Sequence, residues 1–282
     1  MNQIFLFLFL IANTALRTQP DSYENPSPSE YVPVESSVSY KLGDRILKIS
    51  SLHYGVATKA LCFNLHDNEG TSVEAAKEVL KVTGGTLLKI ENNKQRVIRF
   101  RLKGITYAID PNRIFSRTGI EQTLRENRKI SNEAIIAVEG FAKYLLELVP
   151  DSIGCLIALH NNTEEMFSVK SYLHGGNRQR DAKAVYADSL QDPDDIAFTT
   201  DSLLYTAMAD LRYNSIWQDN ENVKKDGSLS VYYGEKKRRY INIETQHGRK
   251  VQYIKMLKNL FEYLDQEATK DSTPFTDTIP AL

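Results

Sequence analysis

The chain has 282 residues, 41% of them hydrophobic and 25% charged, which suffices for one large α/β domain and argues against wholesale disorder. Lysine and arginine (35) nearly balance aspartate and glutamate (36) for a formal net charge of −1, so no basic excess is available to hold a nucleic-acid backbone. Two cysteines cannot build a disulfide scaffold or a cysteine-rich zinc module, so any metal site must draw on the 5 histidines and on carboxylates.

The chain opens with an apolar run, Ile4 to Leu16, broken only by Asn13 and Thr14. It is too short to span a bilayer as a helix and has the length of the apolar region of a signal peptide, with small residues at Ala12, Thr14 and Ala15 where cleavage could occur. Residues 1–18 are therefore expected to be an export signal, which sends the protein to the periplasm or outside the cell and leaves no stable membrane span after removal. A short N-terminal core helix is the alternative. Residues 19–38, rich in Pro, Ser and Glu, read as a flexible linker, residues 39–266 as one α/β domain, and 267–282 as a flexible polar tail.

Within the domain, strand-length apolar runs alternate with helical patterns. The strands are expected at Arg45–Ile49, Ala60–Leu65, Thr86–Ile90, Val97–Leu102, Thr106–Ile109, Ile153–Leu159, Ile196–Thr199, Ser215–Gln218, Leu229–Tyr233 and Arg239–Ile243. Helices are expected at Val73–Val82, at Asn132–Val149 between the cap Ser131 and the stop Pro150, and at Gly248–Leu264. This alternation predicts an α/β fold, a mostly parallel mixed sheet with helices on both faces. The alternating stretch around Lys103-Gly104 predicts an antiparallel hairpin at a sheet edge. Cys62 and Cys155 lie inside apolar runs, either as free buried thiols or as a disulfide between neighbouring strands.

Ligands of open parallel sheets bind at the carboxyl ends of the strands, so the polar residues that follow the apolar runs are the candidates. Four runs end this way: in His66-Asp67-Asn68-Glu69, in Asp110-Pro111-Asn112-Arg113, in His160-Asn161-Asn162, and in Glu244 with His247 soon after. If these strands are neighbours, His66, Glu69, Asp110, His160 and Glu244 share one rim. One imidazole and one carboxylate three residues apart on a turn make half of a tetrahedral zinc site, and His160 would supply the third ligand, leaving the fourth position open for water. His160 could equally be a loop or packing residue. Glu244 is either a base for the attacking water or a carboxylate at the start of the last helix. Arg113 and Arg117 could fork a substrate carboxylate with Asn112 adding a donor, or belong to a solvated loop with an ion pair.

These residues in this order, H-x-x-E, then N-R, then a strand-final His and a strand-final Glu, resemble the zinc carboxypeptidase superfamily. The segment HDNEGTS also looks like the start of its succinylglutamate desuccinylase and aspartoacylase branch. The resemblance implies Zn2+ held by His66, Glu69 and His160, a substrate carboxylate bound by Asn112 and Arg113, carbonyl polarisation assisted by Arg117, and Glu244 as general base and acid. It also implies a tyrosine near the site, with Tyr232 and Tyr233 as candidates; His247 has no counterpart in the resemblance and could bind substrate or orient Glu244. The polar loop Gly175-Gly176-Asn177-Arg178 is either a lid or an ordinary surface loop. The expected function is an exported zinc hydrolase that cleaves an amide bond beside a carboxylate, a peptidoglycan-peptide carboxypeptidase or amidase. A deacylase of small N-acyl amino acids, or a binding protein on the same fold, is the alternative.

Overall fold

The computed structural model describes residues 30–55, 60–163 and 167–271, so the expected export signal and most of the tail lie outside the described residues. In chain order the elements are β1 (Pro33–Leu42), β2 (Arg45–Tyr54), β3 (Ala60–Asn64), α1 (Gly70–Thr83), β4 (Gly85–Glu91), β5 (Ile98–Leu102), β6 (Ile105–Ile109), α2 (Arg117–Glu126), α3 (Asn132–Glu147) and β7 (Cys155–Asn162). There follow β8 (Ala182–Tyr186), β9 (Ile196–Thr199), α4 (Ser202–Asp210), β10 (Asn214–Gln218), α5 (Leu229–Glu235), β11 (Tyr240–Gln246) and α6 (Lys250–Asp271).

Nine strands form one sheet in the order β1-β2-β4-β3-β7-β11-β9-β10-β8. The middle run β4-β3-β7-β11 is parallel throughout, and β9 with β10 is parallel as well. Antiparallel pairings add β1 and β2 on one side, join β11 to β9, and add β8 on the other. The sheet is thus mixed, with a parallel centre. Alternation along the strands supplies both faces. In β7, Leu156 and Ala158 join the cluster made with Val138, Phe141 and Leu145 of α3, whereas Cys155, Ile157 and Leu159 join Val79 of α1 and Tyr253, Leu257 and Leu260 of α6. Each fully buried Leu or Phe among them contributes about 1.5–3 kcal/mol relative to exposure.

Several expectations are corrected. The linker gives way to a strand at Pro33, because β1 pairs along its whole length with β2 across a turn whose Gly43 has φ 64°. Glycine is needed there for two reasons: a side chain would be strained at that φ and would collide with the Arg101 carbonyl. The tail starts later than 267, since α6 runs on to Asp271. Leu229–Tyr233 is helical rather than a strand, with the Ser228 hydroxyl accepting from the Val231 N–H at its start. The hairpin β5–β6 stands as a separate two-stranded sheet over the helical face, turned at Lys103-Gly104 by two positive φ angles, instead of lying at an edge of the large sheet. Ser131 does cap α3, accepting from the Ala134 N–H. Cys62 and Cys155 are free, buried thiols.

Candidate active site

The chain leaves β3 through Leu65 and folds at once into a turn in which the Glu69 N–H donates to the His66 carbonyl at 3.0 Å. That turn puts residues three apart on the same side, which is what H-x-x-E needs. The turn opens α1, and its position is fixed from β7: the Ser72 N–H donates to Asn161 Oδ1 at 2.9 Å. Asp67, pointing the other way, accepts from the Asn92 and Lys94 N–H groups and pairs with Lys89, so the turn is also tied to the loop after β4.

Three buried side chains then converge. His66 Nδ1 lies 3.0 Å from Glu69 Oε1, His160 Nδ1 lies 2.9 Å from Glu69 Oε2, and the two Nδ1 atoms are 3.2 Å apart. His66, Glu69 and His160 are the group among the described residues whose ligand atoms are close enough to hold one metal ion. Tetrahedral zinc with bonds of 2.0–2.1 Å sets its ligand atoms roughly 3.3 Å apart, close to this triangle. The protonation pattern agrees. His66 Nε2 faces Asp110 Oδ1 at 2.8 Å, so its proton belongs there and the Nδ1 lone pair is left facing a carboxylate and a second imidazole. Lone pairs so crowded require a proton or a cation among them.

Electrostatics separate the two histidines. Burial pulls the His66 imidazole down, but the Glu69 and Asp110 carboxylates outweigh it and hold His66 above its ordinary value. Burial wins at His160, which lies lower than usual despite Glu69. Glu69 and Asp110 are both held well below the carboxylate range, their own burial being overcome chiefly by the neighbouring histidines.

Glu244 stands level with His160 in the parallel register of β11 and β7, so both side chains leave the same face of the sheet. Its Oε2 accepts from Asn242 Nδ2 at 3.1 Å. Burial, reinforced by the charge of Glu69, pushes its carboxyl up to about 8. Beneath this pair Tyr253 of α6 fastens the two strands: its hydroxyl accepts from the His160 N–H at 3.2 Å and donates to the Ile243 carbonyl at 2.6 Å.

A cavity of about 480 Å³ opens over these groups, and Glu69, Asn112, Arg113, His160, Glu244 and His247 all line it. Asn112 is held by the Leu229 N–H, which donates to its Oδ1, and Arg113 donates to the Asn112 carbonyl while lying 3.7 Å from Asp226. His247 sits where β11 ends, its N–H donating to the Asn162 carbonyl.

Arg117 is the residue that the structure places elsewhere. It is the first residue of α2, exposed, and paired with Glu139 at 2.9 Å and Glu121 at 3.4 Å. The arginine that reaches the metal-ligand trio is Arg96, which donates to Glu69 Oε1 at 2.6 Å and to Asp110 Oδ2 at 3.3 Å and lines the cavity. In the sequence it looks like one more solvent-facing cation of an alternating hairpin, and only the placing of that hairpin over the β3 exit reveals it. Tyr232 and Tyr233 also stay away from the cavity. Tyr233 is packed in the core and Tyr232 against Phe115 and Lys236, while the tyrosines that line the cavity are Tyr172 and Tyr240. Arg178, from the glycine-containing loop, lines it too, over the ring of Phe167.

No family model matches the sequence, and no curated protein sequence matches it significantly. Solved structures do resemble the fold. An aspartoacylase family protein from Mesorhizobium loti aligns with TM-score 0.45 and 14% identity over 83% of this chain and 67% of its own. Murein-tripeptide amidase MpaA from Escherichia coli O157 aligns with TM-score 0.44 and 8% identity over 85% of this chain and 95% of its own. Thrombin activatable fibrinolysis inhibitor aligns with TM-score 0.45 and 10% identity over 85% and 70%. The likeness is one of backbone course, and the roles of side chains rest on the distances above. Among the described residues no helix is long and apolar enough to cross a membrane.

Proposed function

We propose that the protein is an exported zinc-dependent hydrolase acting on an amide bond next to a carboxylate, with cell-wall peptides as its substrates. The observation that carries the reading is the triangle of His66 Nδ1, His160 Nδ1 and the Glu69 carboxylate, buried, with ligand-atom spacings of 2.9 to 3.2 Å and with Glu244 level beside it. His66, Glu69 and His160 would hold the cation, which when bound supplies Lewis-acid polarisation of a carbonyl and acidifies water. Export draws its support from the apolar segment Ile4–Leu16, and the cell-wall choice from export combined with a carboxylate-binding rim.

The protein's own groups do the rest. Asp110 fixes the His66 tautomer by accepting a hydrogen bond from Nε2–H, which keeps Nδ1 free as a ligand atom. Arg96 offsets the charge of Glu69 and Asp110 at the cavity mouth. Arg113, with Asn112 beside it, offers a fork to a substrate carboxylate from the cavity wall. Glu244 takes a proton from water as the water oxygen adds to the amide carbon, and gives it to the nitrogen as the C–N bond breaks. The raised position of its carboxyl reflects burial and the Glu69 charge, and compensation of that charge brings it back towards the ionised form.

Metal analysis of the purified protein, with amide hydrolysis assayed on muropeptides, tests the proposal. The wild type should retain about one zinc, and Glu244→Gln should keep the metal while losing turnover by about 10²- to 10⁴-fold. His160→Ala should lose the metal itself. A protein that takes up no zinc, and gains no thermal stability when zinc is added, is a binding module and not this enzyme.

A further inference from the structure

The large sheet has two edges, and they are finished differently. At one stands β8, five residues long, half-buried except at the exposed Lys183, and joined to β10 through a bulge between Trp217 and Gln218. Shortness, bulges, lysines and partial covering are the means by which an edge strand is kept from pairing with another chain. At the other edge stands β1, ten residues long and paired with β2 without a break from Pro33 to Leu42. Its residues from Val34 to Ser39 are exposed on both faces, with Val34 68% and Val38 41% accessible, and no described strand pairs with its outer side. Pro33 stands at its very start and Lys41 near its end, and between them the only charge is Glu35.

The outer side of such a strand is a row of backbone donors and acceptors, and antiparallel geometry limits how a second strand can meet it. Residues facing outward on one strand must stand opposite residues facing outward on the other. A strand that pairs with a copy of itself can therefore do so only in registers that set some residue opposite its own counterpart, on a two-fold axis. Of these registers, the one centred on Val38 is alone in setting Glu35 against Lys41, and it does so on both sides of the axis. Ser37 then faces Ser39 between the charges. On the other face Val38 meets its counterpart and Val34 meets Leu42, which continues the apolar row in which Tyr40 packs against Phe141 and Tyr144 of α3.

Both charges are available for this role. Glu35 has only Lys48 at 3.7 Å, with both side chains at least half exposed, and Lys41 makes no ion pair among the described residues. The chain enters β1 from the inner side of the sheet: the Tyr31 N–H donates to the Lys81 carbonyl in the last turn of α1, and the Tyr31 ring lies against Gly55, just past β2. Tyr31 thus stands on the side of β2 and α1, away from the outer edge.

We infer that β1 is a self-association surface, on which two copies of the chain pair their β1 strands antiparallel about an axis at Val38 and join their nine-stranded sheets into one. Sedimentation equilibrium of the full chain over a range of concentrations tests this. The wild type should approach twice the mass of one chain as concentration rises. Val38→Lys sets like charges against each other on the axis and should raise the dissociation constant at least about tenfold. Glu35→Lys and Lys41→Glu each turn both ion pairs into repulsions and should act in the same direction. An equimolar mixture of those two variants, or the double variant Glu35→Lys/Lys41→Glu, restores opposite charges and should associate within about threefold of the wild type. The three positions are exposed, circular dichroism checks each fold, and recovery in the mixture shows independently that both single variants are folded. A protein that stays monomeric at every concentration, a dimer indifferent to the single charge reversals, or single variants that fail to associate when mixed would overturn the interface. Hydrogen exchange separates the remaining occupant: β1 amides should slow with rising concentration, whereas slow exchange in a protein that stays monomeric gives the edge to another segment of the same chain and overturns pairing with a second copy.

Discussion

The two ends of the cavity are built on opposite terms. At the end formed by His66, Glu69, Asp110 and His160, charged and polar atoms are held close to one another: every one of these side chains has at least one partner within 3.0 Å. At the other end, Gln218 and Asn242 spend their N–H groups internally and leave carbonyl oxygens without one. The first end is arranged around a charge, while the second keeps two buried amide oxygens out of solvent. The acidities shifted by charged partners gather at the first end, where they are evidence of mutual pairing as much as of chemistry, whereas Tyr240 at the second end is raised chiefly by burial.

The contrast can be sharpened by attacking the charged end. Asp110→Ala takes away the acceptor that sets the His66 tautomer without touching a ligand atom, and metal affinity should fall by about 10- to 100-fold. Competition with a chelator of known affinity reads the effect. Equal affinity in the variant and the wild type would mean that Asp110 plays no part in presenting Nδ1.

Acidity should act on the same end. A cation must displace the proton of His66, whose folded value lies above the ordinary 6.5, so below that folded value zinc affinity should drop about tenfold per pH unit, and the drop begins at a higher pH than for an isolated histidine. In chelator the signs run differently. Stabilisation from the raised His66 is complete below 6.5 and is lost as pH rises through its folded value. Stabilisation from the depressed Glu69 and Asp110 is present above their ordinary 4.5 and 3.8 and is lost as pH falls through their folded values. The metal-free protein should accordingly melt highest between about 4.5 and 6.5, and a melting temperature that climbs steadily to pH 8 would contradict this balance.

The smallest effect is expected just outside the cavity. Arg117→Ala removes two exposed ion pairs and should change stability by no more than about 0.5 kcal/mol, with hydrolysis unaltered. A large loss of activity would restore Arg117 to the site.

How far the sequence reached follows the same division. The residues that end apolar runs were legible, since a strand that stops in a polar cluster announces which atoms stand at its carboxyl end, and the structure gathers His66, Glu69, His160, Asp110 and Glu244 there. Arg96, Asn242 and Gln218 were not legible in this way. Arg96 depends on where a two-stranded hairpin is laid down, and Gln218 on β9 standing between β11 and β10. Secondary structure failed where local signals were too short. LSVYY is as apolar as a strand, and only Ser228 ahead of it marks a helix start. The segment from Pro33 to Val38 has the composition of a linker, yet as an edge strand it needs backbone pairing more than apolar side chains, and the hairpin at Gly43 provides it.

Tyr253 ties this architecture to its last element. A single phenol on α6 clips β7 and β11 together at the level where His160 and Glu244 emerge, so the spacing between the proposed ligand and the proposed base is maintained from the opposite side of the sheet. The two strands are bonded to each other from Tyr240 opposite Leu156 to Gln246 opposite Asn162, so what the phenol adds is a fixed level for the His160 N–H and the Ile243 carbonyl rather than the pairing itself. Tyr253, Leu257, Leu260 and Phe261 of α6 also belong to the core on its face, so the packing of that helix and the alignment of the site rest on the same element.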